Sequence, residues 1–159
     1  MKNDINISEV QYLFFILDDE KFAVKADNIK EIVDYVNITK IPIANNAIKG
    51  VTNIRGDIIP VIDPNIRFGF KKLDIKERTS FIIFNILNKE KNTYLTIALM
   101  VDLVIEVEEI KSTDILNVPE FGTKVPSNFI QNIIKFEDNY ITTLDIDIVL
   151  DIKHLTKVN

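Results

Sequence analysis

No cysteine and no tryptophan occur in this chain of 159 residues, which has a single histidine and only four glycines. Without Cys there is no disulfide, no thiolate-ligated zinc, no iron–sulfur cluster and no thiol nucleophile. The glycines, at 50, 56, 69 and 122, cannot be written into a P-loop or a dinucleotide Gly pattern. A Ser-His-Asp arrangement would have to draw its base from His154, and a lone His near the end of a helix is ordinarily solvated or dipole-stabilised. We assign it no role, and no catalytic residue is expected. Long apolar runs are missing too. The longest, Leu13 to Leu17 and Thr96 to Val101, fall far short of the roughly 20 residues that span a bilayer. The first ten residues carry Asp4 and Glu9 and do not read as a secretory signal. The expectation is an intracellular, cytoplasmic protein with no membrane anchor.

Basic charge is in deficit, with 19 Lys and Arg against 24 Asp and Glu and a formal net charge of -5. Such a balance repels a polyphosphate backbone, so nucleic acid and anionic lipid are not expected as main partners. Apolar residues make up 47% of the chain, and a chain of this length buries about 70% of its unfolded surface, enough to fold without metal or disulfide. Asp145, Asp147 and Asp151 form an acidic cluster, but they lack the Gly-containing spacing of a calcium loop. No metal and no cofactor is expected.

Ile, Val, Phe and Tyr recur in short runs bounded by polar clusters, which favours strands. Tyr12 to Leu17 and Lys21 to Val24, joined by Asp18-Asp19-Glu20, read as a hairpin. Phe81 to Leu87 and Thr93 to Val101, joined by Asn88 to Asn92, read the same way. The halves then continue alike. At an offset of 75, Ala23, Val24, Asp27, Ile29, Glu31 and Ile32 fall opposite Ala98, Leu99, Asp102, Val104, Glu106 and Val107. At an offset of 82, Ile48-Lys49-Gly50-Val51 falls opposite Ile130-Gln131-Asn132-Ile133, and Ile62-Asp63 opposite Leu144-Asp145. About five short strands per half bury their apolar faces best by curling into a barrel. The expected fold is mainly β, two small barrels packed together with minor helix. Phe68 to Thr79 reads as a solvated crossing between them. Ala26 to Ile32 could make two helical turns, and Ile146 to Lys157 a C-terminal helix burying Ile148, Val149, Ile152 and Leu155 on one face.

One enzymatic-looking pattern competes. Asp18-Asp19-Glu20 and Asp63 each follow an apolar strand, about as a phosphoacceptor receiver spaces its acidic pocket around Mg²⁺. A receiver, however, alternates strands with long amphipathic helices, and here Pro42, Gly50, Gly56 and Pro60 interrupt every candidate helix between those aspartates. A charged hairpin tip and a strand-ending Asp63 are the favoured reading.

The second hairpins of the halves differ in charge: Arg55-Gly56 stands where the other half has Glu137-Asp138. Gly56 could serve only the positive φ of a tight turn, and Arg55 could be only an exposed charge. Their surroundings point further. The stretch from Ile48 to Asp63, with Asn53-Ile54-Arg55-Gly56 between two apolar strands, closely resembles the signature of the CheW-like coupling proteins of bacterial chemotaxis. Phe15 to Val24 resembles that family's opening hairpin, Ile29-Lys30-Glu31-Ile32 its Glu-Ile element, and Ile41-Pro42 the proline before the signature. The likeness spans 11–155 as a single domain, with barrel 1 over about 11–67, barrel 2 over about 80–155, and strands exchanged between them. The sequence departs from the family at Ile54 and Pro64, where Leu is common, and at Leu103, where a small or polar residue is frequent.

This resemblance implies two five-stranded SH3-like barrels and a non-enzymatic adaptor. Its partners would be the cytoplasmic tips of chemoreceptors and the regulatory domain of the histidine kinase CheA, at receptor arrays on the inner face of the membrane. The implied receptor-binding residues are Glu31, Arg55, Gly50, Asn53 and Gly56. Two alternatives remain: the receiver-type switch, and the same adaptor fold in a non-chemotaxis kinase pathway.

Overall fold

A computed structural model describes residues 8–43, 45–119 and 122–151. Eleven strands are described: β1 (Glu9–Leu17), β2 (Glu20–Lys25), β3 (Ile29–Asp34), β4 (Ile48–Ile54), β5 (Asp57–Ile62), β6 (Ser80–Asn88), β7 (Thr93–Val101), β8 (Leu103–Lys111), β9 (Ile115–Leu116), β10 (Ile130–Phe136) and β11 (Asn139–Leu144). Two single helical turns follow β5 and β11, α1 (Pro64–Arg67) and α2 (Ile146–Val149). The fold is mainly β, as the short apolar runs bounded by polar clusters predict. With helices of four residues each, the described chain has none of the long helices that flank a receiver's sheet.

Two sheets form, and each draws strands from both halves of the sequence. One has the order β8-β1-β2-β11-β10-β9 and the other β3-β6-β7-β5-β4. The opening hairpin of each half therefore completes the sheet of the other. It joins through a short parallel ladder, Phe22 and Ala23 against Thr142 and Thr143 in one sheet, Val61 and Ile62 against Ala98 and Leu99 in the other. The repeat read from the sequence is a repeat of ladders. The register breaks between Ile29 and Glu31 in the β3–β6 pair, and the β1–β8 pair breaks at its matching place, between Phe14 and Phe15. The two closing hairpins match likewise, with breaks between Ile48 and Gly50 and between Ile130 and Asn132.

Because the sheets curl into barrels that also pack on each other, the opening strands are buried on both faces. Tyr12 and Phe14 of β1 belong to a small core with Ala23, Ile110, Ile134 and Ile141, the interior of one barrel. Leu13, Phe15 and Leu17, on the other face, join a larger core containing Ile82, Phe84 and Leu99. Burial on both faces is why the run from Leu13 to Leu17 is continuously apolar rather than alternating.

Gly50 shows how tightly one seam closes. Thr39 and Val51 exchange backbone hydrogen bonds of 2.7 and 2.9 Å. A Cβ on Gly50 would lie 2.2 Å from the Thr39 carbonyl oxygen, and its φ is 147°.

Three expectations change. Ala26 to Ile32 is not two helical turns: a 3₁₀ turn, Ala26–Asn28, leads straight into β3, whose residues alternate between half-buried and exposed. In the last segment Val149 is buried but Ile148 is 38% exposed, because a single turn cannot place adjacent residues on one face; Ile152, His154 and Leu155 lie outside the described residues. The crossing from Phe68 to Thr79 is anchored rather than merely solvated. Its charges Lys71, Lys72, Asp74, Lys76, Glu77 and Arg78 are exposed, but Phe68, Leu73 and Thr79 are buried.

Replacing Gly50 with Ala should lower the unfolding free energy by at least about 2 kcal/mol, from backbone strain plus overpacking. Urea denaturation would measure it, and a variant as stable as the parent would contradict the seam geometry.

Candidate functional site

The turn between β4 and β5 is a two-residue loop in which Arg55 and Gly56 have φ of 50° and 91°. Both values are positive, the geometry that matches the twist of the flanking strands. Gly56 takes it without cost, whereas Arg55 carries a side chain in a region such residues seldom occupy. Asn53 Oδ1 accepts the Gly56 backbone N–H at 2.8 Å, so three of the residues singled out from the sequence form one exposed tip.

Glu31 reaches that tip from β3. Its Oε2 accepts a hydrogen bond from Arg55 Nη2 in a charge-assisted ion pair. The hydrogen bond and the charge of Glu31 raise the guanidinium's pKa. β3 and β4 are the two outer strands of their sheet, so the pair spans the seam where the barrel closes. Glu31 is the less exposed partner, at 23% against 68% for Arg55. The carboxylate is the fixed post and the guanidinium the presented group. Gly50 stands apart from this surface: it is buried, and its part is to admit Thr39.

The equivalent place in the other barrel is different. Its closing turn, Glu137-Asp138, again has two positive φ values, 47° and 65°, but it faces Glu106 and Glu108. The Glu108 carboxyl is raised above the usual range by its hydrogen bond to Glu106, by burial and by the charges of Glu106 and Glu137. One fold thus presents a cation braced by a carboxylate at one barrel, and at the other the acids Glu108 and Glu137 with Lys135 at the place of Asn53.

Apolar side chains stand half-open at matched places on outermost strands of the two barrels. Ile32 of β3 is 42% exposed and Val107 of β8 is 48% exposed. They are matched at the repeat offset and pair with the buried Ile82 and Leu13.

Asp63 lies deep in the core, with no exposed surface. One carboxylate oxygen accepts the Asn65 N–H, capping α1, and the other accepts the Leu73 N–H, pinning the crossing segment; both bonds are 2.9 Å. Pro64 fits at the first position of α1, where no N–H is needed. The sequence identified Asp63 as a strand end and missed its tie to Leu73, ten residues on. It also missed the polar contacts of Asp18. The Asp18 N–H donates to Asp102 at 2.8 Å, its carboxylate accepts from Asn65, and Lys76 pairs with Asp102 at 3.2 Å. No composition or spacing signal marks these partners, which lie 26 to 84 residues apart.

These two interlocked SH3-like barrels, with an ion-paired turn on one of them, define a class of β scaffold domain. The chain belongs to the CheW-like family, whose domain model matches residues 11–154. It is 30% identical over 149 residues to the chemotaxis protein CheW of Helicobacter pylori, covering 94% of this chain and 86% of that one. Against the CheW of Thermotoga maritima the identity is 28% over 148 residues, covering 91% and 90%. The crystal structure of the scaffolding protein TtCheW from Thermoanaerobacter tengcongensis matches with a TM-score of 0.78 at 30% identity, covering 100% of this chain and 95% of that one.

Burial dominates the Asp63 carboxyl and raises its pKa above the usual carboxylate value of about 3.8, against the Leu73 and Asn65 N–H donors and the charge of Lys49. A carboxyl that binds its proton more tightly when folded contributes stability that is fully present below the unfolded pKa and lost as pH rises through the folded one. In urea titrations, the stability difference between the parent and Asp63→Asn should therefore shift against the parent as pH rises from about 3.8 through the folded value. A pH-independent difference would contradict the assigned burial.

Proposed function

We propose that this chain is a non-enzymatic adaptor that couples chemoreceptors to the histidine kinase CheA in chemotaxis signalling. The observation that carries the reading is the braced guanidinium: within a family match that covers nearly the whole chain, the Glu31–Arg55 pair sits on a tip whose counterpart in the other barrel has carboxylates instead. Residues 11–155 act as one domain. Arg55, Glu31, Asn53 and Gly56 form the receptor-binding surface, with Gly50 supporting it from beneath. The exposed Ile32 of β3 offers apolar contact beside it, and the CheA regulatory domain takes the barrel ends. The working place is the cytoplasmic face of receptor arrays; no helix among the described residues is long and apolar enough to cross a membrane.

Asp63 offers a direct test against the receiver alternative. A phosphoacceptor must expose its carboxylate to the phosphodonor, and here both oxygens are engaged in the core. Acetyl phosphate should leave the purified protein unlabelled, and phosphate on Asp63 would overturn the adaptor reading.

Receptor binding tests the site itself. An exposed ion pair adds little to folding, so Arg55→Glu should unfold at a midpoint close to the parent's. Glu31→Arg and Arg55→Glu should each weaken binding to a receptor-tip fragment, and the double reversal should restore part of it. A double-mutant cycle from calorimetric titrations reads this coupling. Receptor affinity unchanged in Arg55→Ala would remove the proposed surface, and an unrescued double reversal would mean that each side chain meets its own receptor group.

A further inference from the structure

The two halves are related at an offset of 82 through their closing hairpins and the turns that follow, so Arg67 at the end of α1 is the counterpart of Val149 in α2. These counterparts touch. Arg67 Nε donates to the Val149 carbonyl at 3.0 Å, and Nη2 donates to the Ile148 carbonyl at 2.8 Å. Residues related by an approximate two-fold rotation can meet only near its axis, since elsewhere the rotation carries them to opposite sides of the molecule. Arg67 therefore lies where the two halves meet, and it breaks the symmetry there by placing a fork on one side and carbonyls on the other.

Its surroundings hold it in that pose. The guanidinium carbon sits 4.9 Å from the centre of the Phe129 ring, just before β10, and Phe129 in turn packs on Phe68 at 5.2 Å. The two carbonyls lie at the end of a single helical turn, where intrahelical donors run out; the Ile148 oxygen also accepts the Asp151 N–H at 3.3 Å, and its second lone pair is open to the guanidinium. A planar fork matches two adjacent acceptors, which a single ammonium cannot do.

The helical turn that Arg67 holds is also a wall. Asp147, Leu150 and Asp151 face Ile86, Leu87 and Tyr94 across an open groove of about 730 Å³. The first three follow β11 of one sheet, whereas the others belong to the β6–β7 hairpin of the other sheet. The groove therefore lies between the barrels, and its width follows their angle.

We propose that Arg67 is a positioning residue that latches the two barrels at one angle and so sets the width of this groove. Because the chain has no cysteine of its own, Ile58→Cys and Tyr140→Cys supply two unique nitroxide sites. They are matched positions, 62% and 66% exposed, one on each barrel. Pulsed dipolar spectroscopy should give one narrow distance in the labelled parent. Arg67→Lys, which keeps the charge and the aliphatic stem but not the fork, should broaden that distribution about twofold or displace it, as a released hinge does. Arg67→Ala should do so further. The parent's distribution in every folded Arg67 variant overturns the latch, whatever their stability. If Arg67→Ala does not fold, Arg67→Lys and Phe129→Leu decide.

A consequence for coupling rests on the adaptor reading: receptor affinity of Arg67→Lys should fall several-fold while kinase binding is retained. Failure of the parent to bind a receptor would sink the adaptor reading and leave the distances to judge the latch. Altered distances with unchanged receptor affinity would overturn the consequence alone.

Discussion

The exchange of opening hairpins is the constraint on which the rest of the molecule depends. β2 meets β11, and β7 meets β5, through parallel ladders of two residue pairs each, yet those ladders join strands from opposite halves of the chain. Parallel neighbours cannot be joined by a tight turn, so the chain must run a long way round to make each one. The β1–β8 ladder is likewise formed across most of the sequence, from Glu9 with Lys111 to Ile16 with Leu103. Loop-closure entropy is lost before such contacts repay it. Once formed, they bury β1 on both faces and fill two cores at once. A half of this chain taken alone would expose the faces that the other half's hairpin covers.

That constraint also explains which parts of the structure were legible in the sequence. Hairpins are local, and short apolar runs on either side of polar turns mark them; all four closed where such runs predicted. The repeat was legible because equivalent positions need equivalent side chains: Asp63 and Asp145 both cap a helical turn. Which sheet a hairpin joins is not written locally, since the same apolar faces suit either partner. The misread helix at Ala26 to Ile32 has the same origin. Its pattern over seven residues fits a short helix as well as an edge strand, and pairing with β6 decides it. Leu73 was hidden because its neighbours are charged and its anchor, Asp63, is an acid that a sequence reading places at the surface.

The candidate site divides along the same line. Arg55, Gly56 and Asn53 lie within four residues, and their turn chemistry can be read directly. Glu31 is 24 residues away, and only the family resemblance brought it beside Arg55. Arg67 gave no signal at all: an arginine between Ile66 and Phe68 looks like any other until the second half folds against it.

A symmetric fold carrying asymmetric charge is well suited to the proposed adaptor role, in which two different partners must be told apart. Matched strands give the two barrels similar apolar edges, so shape alone discriminates poorly between them. Charge at the closing turns does so, because a partner carboxylate is drawn to the Arg55 tip and repelled by Glu137 and Glu106. Bracing by Glu31 adds a second element. An arginine on an exposed tip has many rotamers to lose on binding, and that loss is taken from affinity. A carboxylate on the neighbouring edge strand removes part of the freedom beforehand while adding little to folding stability. The ion pair thus acts on recognition rather than on the fold. The interlocked hairpins supply the rigidity that makes such bracing effective, because a post on one edge strand can orient a group on the other only where the sheet between them does not flex.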